Sequence, residues 1–174
     1  RRDWIALLSA ILGAFMAILD IQIINSSLKD IQGALSATIE EGSWISTSYL
    51  VAEIIIIPLA AWLTTIFSPR RFAVTISAIF VIASLLCSMA WSLESMIVFR
   101  ALQGLGAAAT LSIGPSLYRA IFPSRLLGSA LGLSALVVAG GYAAGPTLSG
   151  VILSFADWPW LFALNVPLGL CSLW

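Results

Sequence analysis

Apolar positions run through this chain in unbroken blocks, without the two-residue alternation of a half-buried strand or the narrow stripe of a surface helix. Six blocks stand out, at 4–24, 44–67, 72–91, 95–118, 126–155 and 158–174. Each approaches or exceeds the roughly 20 residues that carry an α-helix across a bilayer. Backbone N–H and C=O groups find no water at that depth, so such segments fold as helices that satisfy themselves. The pattern predicts an all-α multi-pass membrane protein built as one bundle over residues 1–174. The sixth block reaches the last residue, so the bundle is expected to be cut within or just after its sixth helix. Connections are predicted to be short at 68–71, at 92–94 and around Pro123. The longest, 25–43, is read as polar and external, with 30–32 and 38–40 forming a short surface helix.

Composition agrees. With 60% hydrophobic residues, 9% charged residues and a mean hydropathy of +1.05, a soluble domain of 174 residues could not hide its apolar surface. The lipid bilayer is the expected partner, and nucleic acid is not. Cys87 and Cys171 lie in apolar blocks with no metal-ligand neighbours and read as small packing residues. The chain has no histidine, and no disulfide, metal site or cofactor is indicated.

Charge distribution adds an orientation. Arg1, Arg2, Arg70, Arg71, Arg119 and Arg125 fall at one set of block ends, and Lys29, Asp30, Glu40, Glu41, Glu94 and Asp157 at the other. By the positive-inside rule the arginine side and the N-terminus are cytoplasmic. Trp4, Trp44, Trp91, Trp158 and Trp160 mark block ends as an aromatic belt does. Arg1 and Arg2 before an apolar run also suit a signal peptide, but five further blocks favour an uncleaved first helix.

The fifth block is rich in small residues, with Gly128, Gly132, Gly140, Gly141, Gly145 and Gly150. Gly128/Gly132 and Gly141/Gly145 have the spacing that lets helix backbones approach closely. Close static contact is one reading; the sharper one makes Gly140, Gly141 and Pro146 a deformable point. Pro58, Pro115 and Pro167 also fall inside blocks, which is tolerated where neighbours or water take up the freed carbonyls.

Three charges interrupt the apolar blocks. A charge at membrane depth costs several kcal/mol unless paired or wetted, so it marks a pathway or coupling site more often than a packing bridge. Asp20 lies about 24 Å from the inner edge, Glu53 about 13 Å below Trp44, and Arg100 about 9 Å below Glu94, counting 1.5 Å per residue. All three are therefore expected at a similar level, where the cation and two carboxylates could neutralise one another around a central cavity. A carboxylate in such a triad can load and release a proton as its exposure changes.

The string Arg100-Ala101-Leu102-Gln103-Gly104-Leu105-Gly106-Ala107-Ala108 resembles the fourth-helix motif of the major facilitator superfamily. Gly141-Tyr142-Ala143-Ala144-Gly145-Pro146-Thr147-Leu148-Ser149-Gly150 resembles the fifth-helix motif of its drug-antiporter branch. Leu19-Asp20-Ile21-Gln22-Ile23-Ile24-Asn25 is similar to the first-helix motif of the fourteen-spanner drug:proton antiporters of EmrB/QacA type. Trp158-Pro159-Trp160-Leu161-Phe162 and Asn165-Val166-Pro167-Leu168-Gly169 resemble the start of their sixth helix. The loop after the second block departs from the family. Of its expected glycine, acidic and basic residues, only Arg70 and Arg71 remain, which puts a charge latch there in doubt. Gln22, Ser149 and Pro159 replace the usual threonine, glycine and arginine.

The resemblance implies the six-transmembrane-helix N-terminal half of a major facilitator fold, in the inner (plasma) membrane, working by alternating access with a C-terminal half. Asp20 and Arg100 would couple proton movement to that motion, with Asp20 preferred over Glu53 as carrier. Gln22, Asn25 and Gln103 would line the substrate cavity. Gly104, Gly106, Gly141, Gly145, Pro146 and Gly150 would shape helix contacts and the interface with the other half. In family members of double-membraned bacteria, a periplasmic adaptor and an outer-membrane channel complete the route.

The resulting expectation is a proton-coupled multidrug efflux antiporter exporting hydrophobic or cationic small molecules. Its competitors are a carrier of one metabolite, such as a sugar, siderophore or organic acid, and a non-transporting membrane scaffold. An enzyme is not expected, because no recognisable nucleophile with its base is present.

Overall fold

The computed structural model describes residues 2–172. Arg1 and Trp174 lie outside the described residues, as do the side chains of Arg2, Trp4 and Arg70. Five long helices run back and forth: α1 (Arg2–Ala34), α2 (Ile39–Ile66), α3 (Pro69–Ser88), α4 (Leu93–Ile121) and α5 (Ser124–Leu153). Each contains a stretch long and apolar enough to cross a membrane. The sixth block is instead two helices, α6 (Pro159–Ala163) and α7 (Asn165–Ser172), separated at Leu164. Pro167 has no N–H to offer the Ala163 carbonyl, which gives this break a covalent cause.

The connections are tighter than expected. α1 continues past Ile24 to Ala34, so most of the segment read as a polar loop is helix. Ile24, Ser27 and Ile31 lie on one fully buried stripe, while Ser26, Lys29 and Asp30 face outward. The polar residues that suggested a loop are thus the outer face of a helix. The expected surface helix does not form: 30–32 belongs to the end of α1, and α2 begins at Ile39 behind its N-cap, Thr38.

Helix ends have local causes. Thr38 and Glu41 close a capping box on α2, Ser92 and Ser95 do the same on α4, and Pro69 opens α3. At the end of α1, Ala37 N–H donates to Gln32 O (2.9 Å) and Ser36 N–H to Gly33 O (3.3 Å), with Ser36 at φ 53°. This Schellman arrangement normally takes glycine, because a Cβ in the left-handed region costs roughly 1–2 kcal/mol. Ser36→Gly is expected to stabilise the bundle by about 1 kcal/mol, read as a higher melting temperature of the complete protein in detergent.

α4 sits at the centre, against α2, α3 and α1; α5 packs on α1, and α7 lies against α1 and α3. A Cβ at Gly104 would meet the Tyr49 backbone on α2, and one at Gly106 would lie 2.8 Å from Phe80 Cβ on α3. Two residues apart is about 200° of turn, so these glycines admit α2 and α3 on opposite faces of α4. Gly13 gives α1 similar room beside Thr110.

α5 buries one stripe, Ala130, Gly141, Gly145 and Ser149. Gly141 packs under Phe15 and Ile18, Gly145 under Gln22, and the Ser149 and Ser27 hydroxyls share a hydrogen bond. A Cβ at Gly128, Gly132, Gly140 or Gly150 would have no neighbour within 4 Å. Of the two predicted small-residue pairs, only Gly141/Gly145 closes a contact inside this bundle. Trp44, Trp91 and Trp160 are exposed at one end, as an aromatic belt requires.

Candidate functional site

The matched depths of Asp20 and Arg100 become a direct contact. Arg100 Nη1 donates to Asp20 Oδ2 at 2.6 Å, with side-chain exposures of 2% and 0%. The same Nη1 donates to Gln103 Oε1 at 2.6 Å, and Arg100 Nε reaches the Ile45 carbonyl at 3.4 Å. Arg100 and Gln103 are three apart on α4 and so share a face. The guanidinium carbon stands 4.2 Å from the centre of the Tyr49 ring and 5.8 Å from that of Phe162. Its flat, delocalised charge suits such stacking.

The other carboxylate oxygen is held by amides. Asp20 Oδ1 accepts from Gln103 Nε2 (2.9 Å) and from Asn165 Nδ2 (2.5 Å). Gln103 Nε2 also donates to Ser84 Oγ (2.8 Å), which in turn donates to the Phe80 carbonyl (2.9 Å). The Cys87 thiol points to Gln103 Oε1 at 3.7 Å. Every long helix except α5 therefore contributes to one buried polar centre, and α6 and α7 supply Phe162 and Asn165. A carboxylate with this donor set is arranged as an anion. Two polar atoms here remain unpartnered, Tyr49 Oη and Asn165 Oδ1.

Glu53 does not join the pair. It is half-buried, and no hydrogen bond or ion pair to it occurs among the described residues. Arg100 meets α2 at Ile45 and Tyr49, which lie four to eight residues, about 6–12 Å, on the outer side of Glu53. Counting α2 from Trp44 misjudged the level, because the helix starts at Ile39. The expected three-cornered cluster is instead an ion pair held by two amides.

The residues expected to line a cavity are spread out. Gln103 is fully enclosed within the polar centre. Gln22 lies partly buried beside Gly145, and exposed Asn25 accepts from Ser46 Oγ at 3.0 Å through Oδ1. Cys87 is buried as expected, whereas Cys171 is exposed. Asn165, Tyr49 and Ser84 were not singled out from the sequence as site residues. A lone amide in an apolar stretch just before Val166-Pro167 was the available signal for Asn165.

The model of the Major Facilitator Superfamily matches residues 10–174. The uncharacterized transporter YebQ of Escherichia coli (strain K12) is 38% identical over 168 residues, covering 97% of this chain and 37% of YebQ. The colistin resistance protein EmrB of Acinetobacter baumannii is 35% identical, covering 95% of this chain and 32% of that protein. The multidrug export protein EmrB of Escherichia coli (strain K12) is 34% identical over 158 residues, 91% of this chain and 31% of its own length. The chain thus spans about a third of the length of these curated relatives. Among solved structures, the proton:xylose symporter XylE superposes with a TM-score of 0.86 at 16% identity, over 98% of this chain and 43% of XylE. Likeness at that identity speaks for the helix arrangement alone. The family match runs through all five long helices and includes Asp20, Arg100 and Asn165, so this multi-pass membrane chain belongs to the Major Facilitator Superfamily.

Proposed function

We propose that this chain is the N-terminal half of a proton-coupled efflux antiporter that exports hydrophobic or cationic small molecules by alternating access. The observation that carries the reading is the Asp20–Arg100 pair, closed at 2.6 Å in the middle of an apolar bundle. An isolated charge there is costly, and a pair held by amides can exchange its salt bridge for a proton on the carboxylate. Glu53, one helical turn from Tyr49 on the same face of α2, is the second carboxylate in this scheme. Relatives named for multidrug export, colistin resistance and fatty acid resistance favour a lipophilic cargo over a single polar metabolite.

The C-terminal half would dock on the open side of α5, where Gly128, Gly132, Gly140 and Gly150 leave backbone uncovered. Pro146, inside α5, would let that face bend. Gln22 and Asn25 would meet substrate on the side facing that half. The N-terminus would be cytoplasmic in the inner membrane. Arg71, Arg119 and Arg125 are exposed at that end, and the exposed acids Asp30, Glu40, Glu41, Glu94 and Asp157 lie at the other. A periplasmic adaptor and an outer-membrane channel would carry cargo onward.

The test is uptake of a lipophilic cation into proteoliposomes holding the complete protein under an imposed pH gradient. Asp20→Asn is expected to lower gradient-driven flux at least a hundredfold, and Glu53→Gln less. Flux that survives both substitutions would sink proton coupling. Transport of a sugar or organic acid but no lipophilic cation would select the metabolite reading.

A further inference from the structure

Among the described residues around Asp20, two buried side chains carry an unpartnered polar atom, Tyr49 Oη and Asn165 Oδ1, and of these Asn165 is the one that also bonds Asp20. Arg100 can donate but never accept. Gln103 has both ends engaged: Oε1 accepts from Arg100, while Nε2 donates to Asp20 and to Ser84. It cannot turn over without breaking all three bonds. Asn165 is also fully buried, but only its Nδ2 is engaged, on Asp20 Oδ1, and its own Oδ1 has no partner. A buried amide oxygen left unpaired costs free energy, so its retention asks for a reason.

Protonation of Asp20 supplies one. An ionised carboxylate accepts only, whereas a protonated one must place an O–H on an acceptor. Asn165 can meet both needs through rotation of its amide about Cβ–Cγ, which brings Oδ1 to where Nδ2 now lies. Each orientation leaves one amide atom unpaired, so the exchange is close to balanced. Asn165 is also the first residue of α7, directly after the break at Leu164.

We propose that Asn165 is the positioning residue through which the α6–α7 segment follows the charge on Asp20: its Nδ2–H holds the carboxylate, and its free Oδ1 accepts the O–H of the acid. This rests on the proton-coupled reading above. The step makes and breaks only the O–H bond of Asp20, with the proton taken from solvent and returned to it. The titratable or charged groups near Asp20 are Arg100 on α4, Tyr49 on α2 and Cys87 on α3, while Glu53, farther along α2, acts on Tyr49. Among the described residues, the α6–α7 segment brings Asp20 no titratable group, only the Asn165 amide, since Cys171 is exposed.

The experiment compares Asn165→Leu and Asn165→Ser in the complete protein. Leucine matches the shape without hydrogen bonds, whereas serine keeps a group that both donates and accepts. Three readouts are used: transport in proteoliposomes, melting temperature in detergent, and the acid-minus-neutral infrared difference spectrum, in which the band of protonated Asp20 is identified by its loss in Asp20→Asn. Asn165→Leu is expected to cut gradient-driven flux roughly tenfold or more and to move the Asp20 carbonyl band to higher frequency. Asn165→Ser should recover part of both changes. An unshifted band with wild-type flux in Asn165→Leu would overturn the proposal. So would an equal loss of flux and melting temperature in both variants, which marks a packing residue only. If Asp20→Asn itself keeps full gradient-driven flux, Asp20 is not the proton carrier and this inference fails; if flux also survives Glu53→Gln, the proton-coupled reading fails with it. That result is distinguishable because it appears with Asn165 intact.

Discussion

Arg100→Met in the complete transporter is expected to abolish gradient-driven transport and to destabilise the protein by about 3–5 kcal/mol, the usual cost of removing one partner of a buried ion pair. Methionine replaces much of the side-chain volume, so the loss comes from what remains. Asp20 Oδ2 and Gln103 Oε1 each lose the Nη1 donor, the Ile45 carbonyl loses Nε, and the Tyr49 ring loses its cation. Asp20→Asn should cost less, because Arg100 keeps Gln103, Ile45 and Tyr49 and an amide still fits the site. The double variant Arg100→Met/Asp20→Asn is expected to melt above Arg100→Met alone, since no unpaired carboxylate is left buried. Its transport should stay at zero. Thermal unfolding in detergent beside proteoliposome flux separates the two outcomes, and a double variant that melts no higher than Arg100→Met would show that the pair is not coupled. Arg100→Lys is also expected to fail, because a single ammonium cannot reproduce a fork aimed at Asp20, Gln103 and Ile45 while standing over the Tyr49 ring.

How much of this was legible in the sequence follows from what each residue costs. A charge inside an apolar block is so unfavourable that Asp20 and Arg100 announce themselves, and the rise per residue puts them level. The same count placed Glu53 with them and was wrong by about a turn or more, because it needs the true start of α2. That start is set by the capping box at Thr38 and Glu41 and by no change in hydropathy. Polar residues misled in the opposite sense at 25–43. Serines and charges there decorate the outer face of α1, and the buried stripe Ile24–Ser27–Ile31 shows only once α2, α4, α5 and α6 cover it. Gly104 and Gly106 stand in the Arg100–Gly106 string, but which helix each admits depends on rotation about α4, which spacing alone does not give. Asn165 was hidden because its partner is 145 positions away.

Gly104→Ala should be nearly as informative as any charge substitution. Glycine to alanine within a helix normally stabilises by up to about 1 kcal/mol. At Gly104 the new Cβ would stand 3.0 Å from the Tyr49 carbonyl carbon and 3.1 Å from its Cα, with the carbonyl oxygen closer still. These are backbone atoms and cannot swing aside, so α2 must move off α4. Overpacking of this kind costs roughly 1–3 kcal/mol, enough to reverse the sign of the helix-propensity gain. Moving α2 also withdraws the Ile45 carbonyl and the Tyr49 ring from Arg100, so transport should fall together with stability. Gly104→Val should do both more severely. Gly33→Ala, at a position where a Cβ meets nothing within 4 Å, is the control and should leave melting temperature and flux unchanged or slightly raised. If Gly104→Ala behaved like Gly33→Ala, the close approach of α2 to α4 would not be needed for the polar centre. Loss at Gly104 alone would tie the small residues of the Arg100–Gly106 stretch to holding Arg100 in place, a role carried by backbone contact and by no side chain of their own.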